Sequence, residues 1–264
     1  MAASMSTVAK RGMKTMGEAF AAFGEGVGVR IGGEGEGVCC EAPGLVGAVV
    51  TQIDNADFFS SAVWPDPSRP LPQRGSESES GCEPALIWIW APSQEAEIEC
   101  GVIAVGRIEL VEYAMPCMAL DLHKAGALAG LEAWTSDDVK VTRPSMAEVG
   151  TLCATAYDDP AFEAVLAAMP AETAATAFGV VREGAFVSVM VTVAHDGDVG
   201  IYCMATAAEW RRRGLARAML ASVLVEAAGA GAETASLQSS PDGAGLYSSL
   251  GFVDAGVARC FARA

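Results

Sequence analysis

The chain has 264 residues, 52% of them apolar and 19% charged, with 17 basic against 33 acidic groups and a formal net charge of −16. That composition fits a folded globular chain rather than a disordered one, and the length allows one large domain or two small ones around a sizeable core. Both halves are acidic (8 basic and 17 acidic residues in 1–130, 9 and 16 in 131–264), which excludes a broad nucleic-acid surface, and no apolar run reaches the roughly 18 residues of a membrane span.

Thr7 to Phe23 can form a helix. The start, MAASMSTVAKRGMKTM, is basic, hydroxylated and free of acids; organelle transit peptides share that composition, but a plain amphipathic first helix is the preferred reading. VGVRIGG, GVCCEA and GAVVTQI read as short strands between glycine-rich turns. Trp64 to Pro84, with five prolines and a Ser/Glu repeat, reads as a surface loop. ALIWIW follows as a buried strand, with Trp88 and Trp90 as core residues first and cleft-lining candidates, like Trp64, second. SQEAEIECGVIAVG reads as a helix capped by Ser93, and ELVEYAMPCMALDL as a strand with a proline interruption. HKAGALAG is a linker of small residues, so the expected domains are 1–127 and 128–264.

The second half opens with helices over Ser145–Tyr157 and Pro160–Ala168. TAFGVVREGAFVSVMVTVAHDGDVGIYCMAT predicts three strands with turns at REG and HDGD, and Val187, Val189, Val191 and Val193 give a period of two. RGLARAMLASVLVEAAGAG predicts a helix ending in glycines, ETASLQS a strand, PDGAGLYSSLG a helix, and FVDAGVARCFAR a terminal strand or pair.

Four of the nine basic residues in the second half, Arg211, Arg212, Arg213 and Arg217, lie in EWRRRGLARAML. A strand, a turn and a helix opening at Gly214 make an anion cradle: the first helical amides lack internal partners, the helix dipole adds positive charge, and a glycine admits a bulky anion to the backbone. Taken alone, the cluster is equally a solvated helix start. A GxxxxGK[ST] loop is absent, and the glycines of 24–37 miss GxGxxG spacing and alternate with Glu25, Glu34 and Glu36.

The stretch IYCMATAAEWRRRGLARAML resembles the strand–turn–helix of the GNAT N-acetyltransferase superfamily, whose signature Arg/Gln-x-x-Gly-x-Gly/Ala matches Arg211, Arg212, Arg213, Gly214, Leu215 and Ala216. Some thirty residues on, LYSSLGF (Leu246 to Phe252) resembles the family's second motif. The resemblance covers about 131–264. It implies an α/β (α+β) GNAT acyltransferase fold, a mixed sheet with splayed central strands that hold acetyl-CoA. The pantetheine arm would lie along Met204, Ala205 and Thr206, with the pyrophosphate on the amides of Arg212 to Ala216. Tyr247 matches the general acid for the departing thiolate, with a core tyrosine as the structural alternative. Ser240 stands where the family often has asparagine, a departure that bears on coenzyme contact. The first half resembles, in layout and in PCMALDL, the degenerate N-terminal acetyltransferase-like domain of two-domain members.

No general base is identifiable. His195, Asp196 and Asp198 fall in a hairpin turn and read as solvated, Glu209 as loop support, His123 as structural, and Cys203 as packing. The two histidines are 72 positions apart, and HExxH, CxxC and GxSxG are absent, which disfavours metal and hydrolase chemistry. Eight scattered cysteines read as reduced thiols. The expectation is a cytoplasmic N-acetyltransferase, monomer or homodimer, using acetyl-CoA on a small amine. The acidic charge favours a cationic acceptor, and the reading includes no metal, nucleic acid or membrane. A non-catalytic coenzyme-binding protein and a protein N-acetyltransferase remain as alternatives.

Overall fold

The structure, a computed structural model, describes residues 5–24, 28–31, 48–51, 61–64, 86–94, 107–170 and 172–263. The GVCCEA strand, the loop after Trp64 and most of the helix expected from Ser93 lie outside them. The chain begins with helix α1 (Met5–Gly24). Strands β1 (Gly28–Ile31) and β2 (Ala48–Thr51) pair antiparallel, and β3 (Ser61–Trp64) pairs parallel with β4 (Leu86–Ala91). After β5 (Arg107–Glu109) and β6 (Met115–Asp121), the stretch expected as a linker forms a short helix instead, α2 (Ala127–Glu132), which buries Leu131. Its small residues let it lie close against a later helix, an outcome invisible to composition.

The second half contributes β7 (Val141–Thr142), α3 (Met146–Tyr157), α4 (Ala161–Ala167), β8 (Ala175–Arg182), β9 (Ala185–His195), β10 (Asp198–Thr206), α5 (Leu215–Gly229), β11 (Thr234–Gln238), α6 (Ala244–Ser249) and β12 (Val253–Arg263). Ser145 caps α3 through a capping box: its hydroxyl accepts from the Glu148 amide (3.3 Å), and the Glu148 carboxylate accepts from the Ser145 amide (2.8 Å), satisfying two donors the helix cannot. The two predicted hairpin turns carry left-handed residues, Glu183–Gly184 and Asp196–Gly197, as tight two-residue hairpins require.

Among the described residues, ten strands form one mixed sheet in the order β3-β4-β12-β6-β11-β10-β9-β8-β7, with β5 beside β12. Only β10–β11 and β3–β4 are parallel. The sheet is continuous across residue 128: β6, from the first half, lies between β11 and β12 and is antiparallel to both. A single core element of each half thereby depends on the other.

Helices cover both faces. On one, α5, α6 and α2 bury Val199, Ile201, Met219, Leu220, Leu224 and Leu237. On the other, α3 and α4 sit over Val189, Val191 and Val193, while α1 packs beside them over Cys117, Ala119 and Cys260. Trp88 belongs to that last cluster, and Trp90 donates to the Ala255 carbonyl at 2.8 Å; both are core residues outside the cavity described below. α1 approaches the sheet so closely that a Cβ on Gly12 would lie 2.7 Å from the Ser236 Cβ.

Candidate active site

Parallel pairing of β10 with β11 runs from Asp198↔Thr234 to Ile201↔Leu237 and stops, while β10 continues to Thr206. Beyond Ile201 the strand swings off at a bulge. Its register with β9 jumps between Tyr202 and Ala205, and Cys203 takes φ +50°. An L-residue in that region costs roughly 1–2 kcal/mol, and the extra residue re-aims the strand. The edge of Tyr202–Thr206 that would continue the ladder toward β11 is thus released from it. A cavity of about 1010 Å³ opens at the fork.

One wall of the cavity is the turn from β10 into α5. Ala208–Trp210 form a single 3-10 turn, Arg212 has φ +62°, and Gly214 has φ +78°. The Gly214 carbonyl takes the first helical bond, from Ala218, so the amides just before Ala218 point outward at the helix start without helical partners. No atom lies within 4 Å of the position a Gly214 Cβ would occupy. Arg211 Nε donates to the Thr206 carbonyl at 3.0 Å, tying the turn to the strand end. Arg217 stacks on the Trp134 ring at 4.2 Å, and its Nε is buried without a hydrogen-bond partner among the described residues. An unsatisfied buried donor beside an open helix start suits an anion.

The facing wall comes from β11 and α6. Gln238, Ser240, Asp242, Gly243, Leu246 and Tyr247 line it. Tyr247 is 7% exposed, packs edge-on against Phe252 (5.9 Å between ring centres), and has no hydrogen-bond partner for its hydroxyl among the described residues. Burial pushes its phenol up to about 12, so it holds its proton throughout the neutral range. Three features therefore meet at one fork: a released strand edge, an anion-ready helix start and a protonated tyrosine.

Residues 174–254 match the family model of the acetyltransferase (GNAT) domain. That stretch carries a GNAT acetyltransferase domain. The chain is similar along nearly its whole length to the solved structure of a GCN5-related N-acetyltransferase from Kribbella flavida, with 19% identity, 97% of this chain and 95% of that one covered, and a TM-score of 0.62. A tandem GNAT protein from the clavulanic acid biosynthesis pathway aligns over 76% of this chain and 74% of its own, at 12% identity and a TM-score of 0.48. No curated protein matches the sequence. At 19% identity the likeness to the Kribbella flavida structure shows the fold alone: a mixed, open GNAT-type sheet.

Within the GNAT domain, the expected site residues converge. Met204, Ala205, Thr206, Arg211, Arg212, Gly214, Leu215, Ala216, Ser240 and Tyr247 all line the cavity. Arg213 does not; its guanidinium lies over the Trp210 ring at 4.6 Å. Ser240 accepts from the Gly243 amide (3.3 Å), and its carbonyl accepts from Ser239 Oγ (2.7 Å), so it shapes the turn into α6.

One expectation about this region is corrected by the structure. Asp198 is not a solvated turn residue: it is 1% exposed and accepts from Thr234 Oγ1 (2.7 Å) and Ser236 Oγ (2.6 Å). The hairpin turns at Asp196–Gly197, and the next residue already points into the sheet. Desolvation raises its carboxyl above the ordinary value despite those bonds, the Thr15 hydroxyl and Arg11. Cys203 packs against the core as expected and, through the bulge, also reaches the cavity wall. His123 and Glu209 are exposed, and neither they nor His195 line the cavity.

The sequence reading missed Tyr157, Phe162, Met16 and Ala19 in the cavity wall. Only long-range packing brings α1, α3 and α4 there. Tyr157, as the last residue of its helix, carried no motif to mark it.

Proposed function

We propose that the protein is an acetyl-CoA-dependent N-acetyltransferase that moves an acetyl group directly to a primary amine. The observation that carries this reading is the end of β10–β11 pairing at Ile201, with the Gly214 turn on one side of the gap and Tyr247 on the other. The residues present suit the coenzyme: open space at Gly214, an unpartnered Arg217 Nε and a released strand edge at Met204–Thr206. Arg211, Arg212 and the amides up to Ala216 would hold its phosphates, with Arg213 flanking them, and Ser240 would lie along the arm.

Bound there, acetyl-CoA supplies the acetyl group as a thioester. The chain's own groups bind, orient and hold protons. Tyr247 keeps a proton at Oη, available to the sulfur as it departs; with its phenol near 12 against an ordinary thiol near 8.5, it acts chiefly as a hydrogen-bond donor rather than by full transfer. Backbone amides at the Cys203–Ala205 bulge supply donors for the carbonyl oxygen as charge develops there. The nucleophile must arrive as free amine, which at pH 7 is a minor form for a group of pKa near 10.4. Cysteine chemistry is not required, because the transfer is direct.

Isothermal calorimetry with acetyl-CoA, followed by thiol release in the presence of amines, tests this reading. Heat of binding and amine-dependent thiol release support it. Binding without release across small amines and peptide N-termini would leave a coenzyme-binding protein instead.

A further inference from the structure

The cavity passes through the fork to the other face of the sheet. There, opposite α5, it is walled by Met16 and Ala19 of α1, Met115 of β6, Ala156 and Tyr157 of α3, and Phe162 of α4. These side chains are apolar apart from the Tyr157 hydroxyl, and two of them come from a helix of the first half of the chain; Tyr202 and Cys203 of the bulge complete this wall. The phosphate-ready turn occupies the α5 side, so this second arm is the side from which an acceptor meets the acyl carbon.

The Tyr157 hydroxyl is placed with little freedom. Tyr157 ends α3, and Asp158 after it takes φ +55° and closes the helix. Its ring packs at a tilt against Phe162, 4.9 Å between centres. Its hydroxyl donates to the Met204 carbonyl at 2.8 Å, within the bulge itself. A phenol has one proton, and this one is committed to Met204. The oxygen is left able only to accept. Tyr157 as a whole is 43% exposed, but desolvation around its hydroxyl raises the phenol above its ordinary range, so the group stays neutral and does not serve as a base.

A neutral primary amine has two N–H donors and one lone pair. Donating one N–H to Tyr157 Oη fixes the nitrogen beside the bulge and leaves its lone pair free for the carbonyl. The substituent then lies along Met16, Ala19 and Phe162. Methylenes or a ring gain by leaving water there, whereas further ammonium groups would lose hydration against those side chains. We infer that this arm is the acceptor site for a primary amine carried on an apolar chain or ring, with Tyr157 Oη as the acceptor of a hydrogen bond from the nitrogen. The inference rests on the acyl-transfer reading above, and it replaces the cationic acceptor suggested by net charge with one suggested by the wall itself.

The test uses the full chain, acetyl-CoA and three probe amines: hexylamine, phenethylamine and spermidine. The expected result is a kcat/KM for hexylamine and phenethylamine about tenfold or more above that for spermidine. Tyr157→Phe should raise the KM of the preferred amine about tenfold, the value of one good hydrogen bond, and leave the acetyl-CoA Kd and the Tm near those of the parent. Met16→Ala, which leaves the hydroxyl in place, should lower kcat/KM for hexylamine about threefold with the same coenzyme affinity, as befits partial loss of one buried side chain. The inference is overturned if coenzyme binds but neither apolar amine is acetylated, if spermidine is preferred, or if Tyr157→Phe leaves the amine KM unchanged. An absence of heat with acetyl-CoA is a different failure, that of the acyl-transfer reading itself.

Discussion

Ser236 on β11 donates a 2.6 Å hydrogen bond to the carboxylate of Asp198 on β10, one register step before the two strands part company. Thr234 donates to the other carboxylate oxygen, so a single buried anion stitches the closed end of the fork. Replacing it with asparagine leaves one hydroxyl facing an N–H₂ group. Asp198→Asn should destabilise the protein by about 1–3 kcal/mol, read as a lower Tm in thermal unfolding.

The pH dependence of that loss has a definite sign. The folded carboxyl sits above its ordinary 3.8 because it is desolvated, so folding favours its protonated form. Its contribution is full below 3.8 and declines as pH rises through the folded value. The Tm gap between the parent and Asp198→Asn should therefore widen as pH falls from 7 toward 4. A gap that narrows over that range counts against a raised carboxyl.

Tyr247→Phe should lower kcat by about 10²-fold or more while leaving the acetyl-CoA Kd nearly unchanged, the pattern of a group used in the reaction rather than in binding. Because the phenol is pushed up to about 12, acetyl transfer by the parent protein should show no alkaline loss assignable to it below about pH 11. Its activity should rise with pH as the acceptor amine loses its proton, then level off. An alkaline limb near pH 9 that disappears in Tyr247→Phe would contradict this assignment.

Gly214→Val places a branched side chain at φ +78°, a strain of roughly 1–2 kcal/mol, and fills the open space ahead of α5. Calorimetry should show acetyl-CoA affinity reduced about tenfold or more. Unchanged affinity would move the phosphate site elsewhere.

Gly12→Ala pits two effects against each other. Alanine favours a helix interior by roughly 1 kcal/mol, but its Cβ would stand 2.7 Å from that of Ser236, which is 3% exposed and cannot withdraw. Overpacking typically costs about 1–3 kcal/mol, so the variant should be the less stable one in denaturant unfolding. In a Ser236→Gly background, itself weakened by loss of the bond to Asp198, adding Gly12→Ala should cost less than it does in the parent.

Much of this site was legible in the chain. The Arg211–Ala216 turn, the Leu246–Phe252 string and the valine alternation are local patterns, and local geometry follows from them directly. What could not be read depends on distant partners. Asp198 is one residue past a hairpin turn, and only its burial under α1 separates it from the solvated Asp196. HKAGALAG has the composition of a linker, yet α2 finds a helix to lie against. Cys203 departs from strand geometry because β10 must leave β11, and no residue type at 203 announces that. Tyr157 becomes a site residue through Met204, 47 positions away.

Residues 128–264 expressed alone would lack β6, leaving β11 and β12 without the strand that separates and pairs with both. That fragment should give no cooperative thermal transition, whereas a fragment beginning at residue 107 retains the missing strand and should fold better than the shorter one. A sharp melt of 128–264 at the parent's Tm would show that the strand is dispensable.

The placement of β6 also sets a timetable for biosynthesis. Its partners on β11 lie 113 to 121 positions downstream (Asp121 with Thr234, Cys117 with Gln238), so the segment leaves the ribosome long before either neighbour exists. Meanwhile its apolar MPCMALD stretch has two vacant edges, a pairing template for other nascent chains. Closing so long a loop is slow, and holdase chaperones that shield such stretches should raise the yield of native protein more than slower translation does.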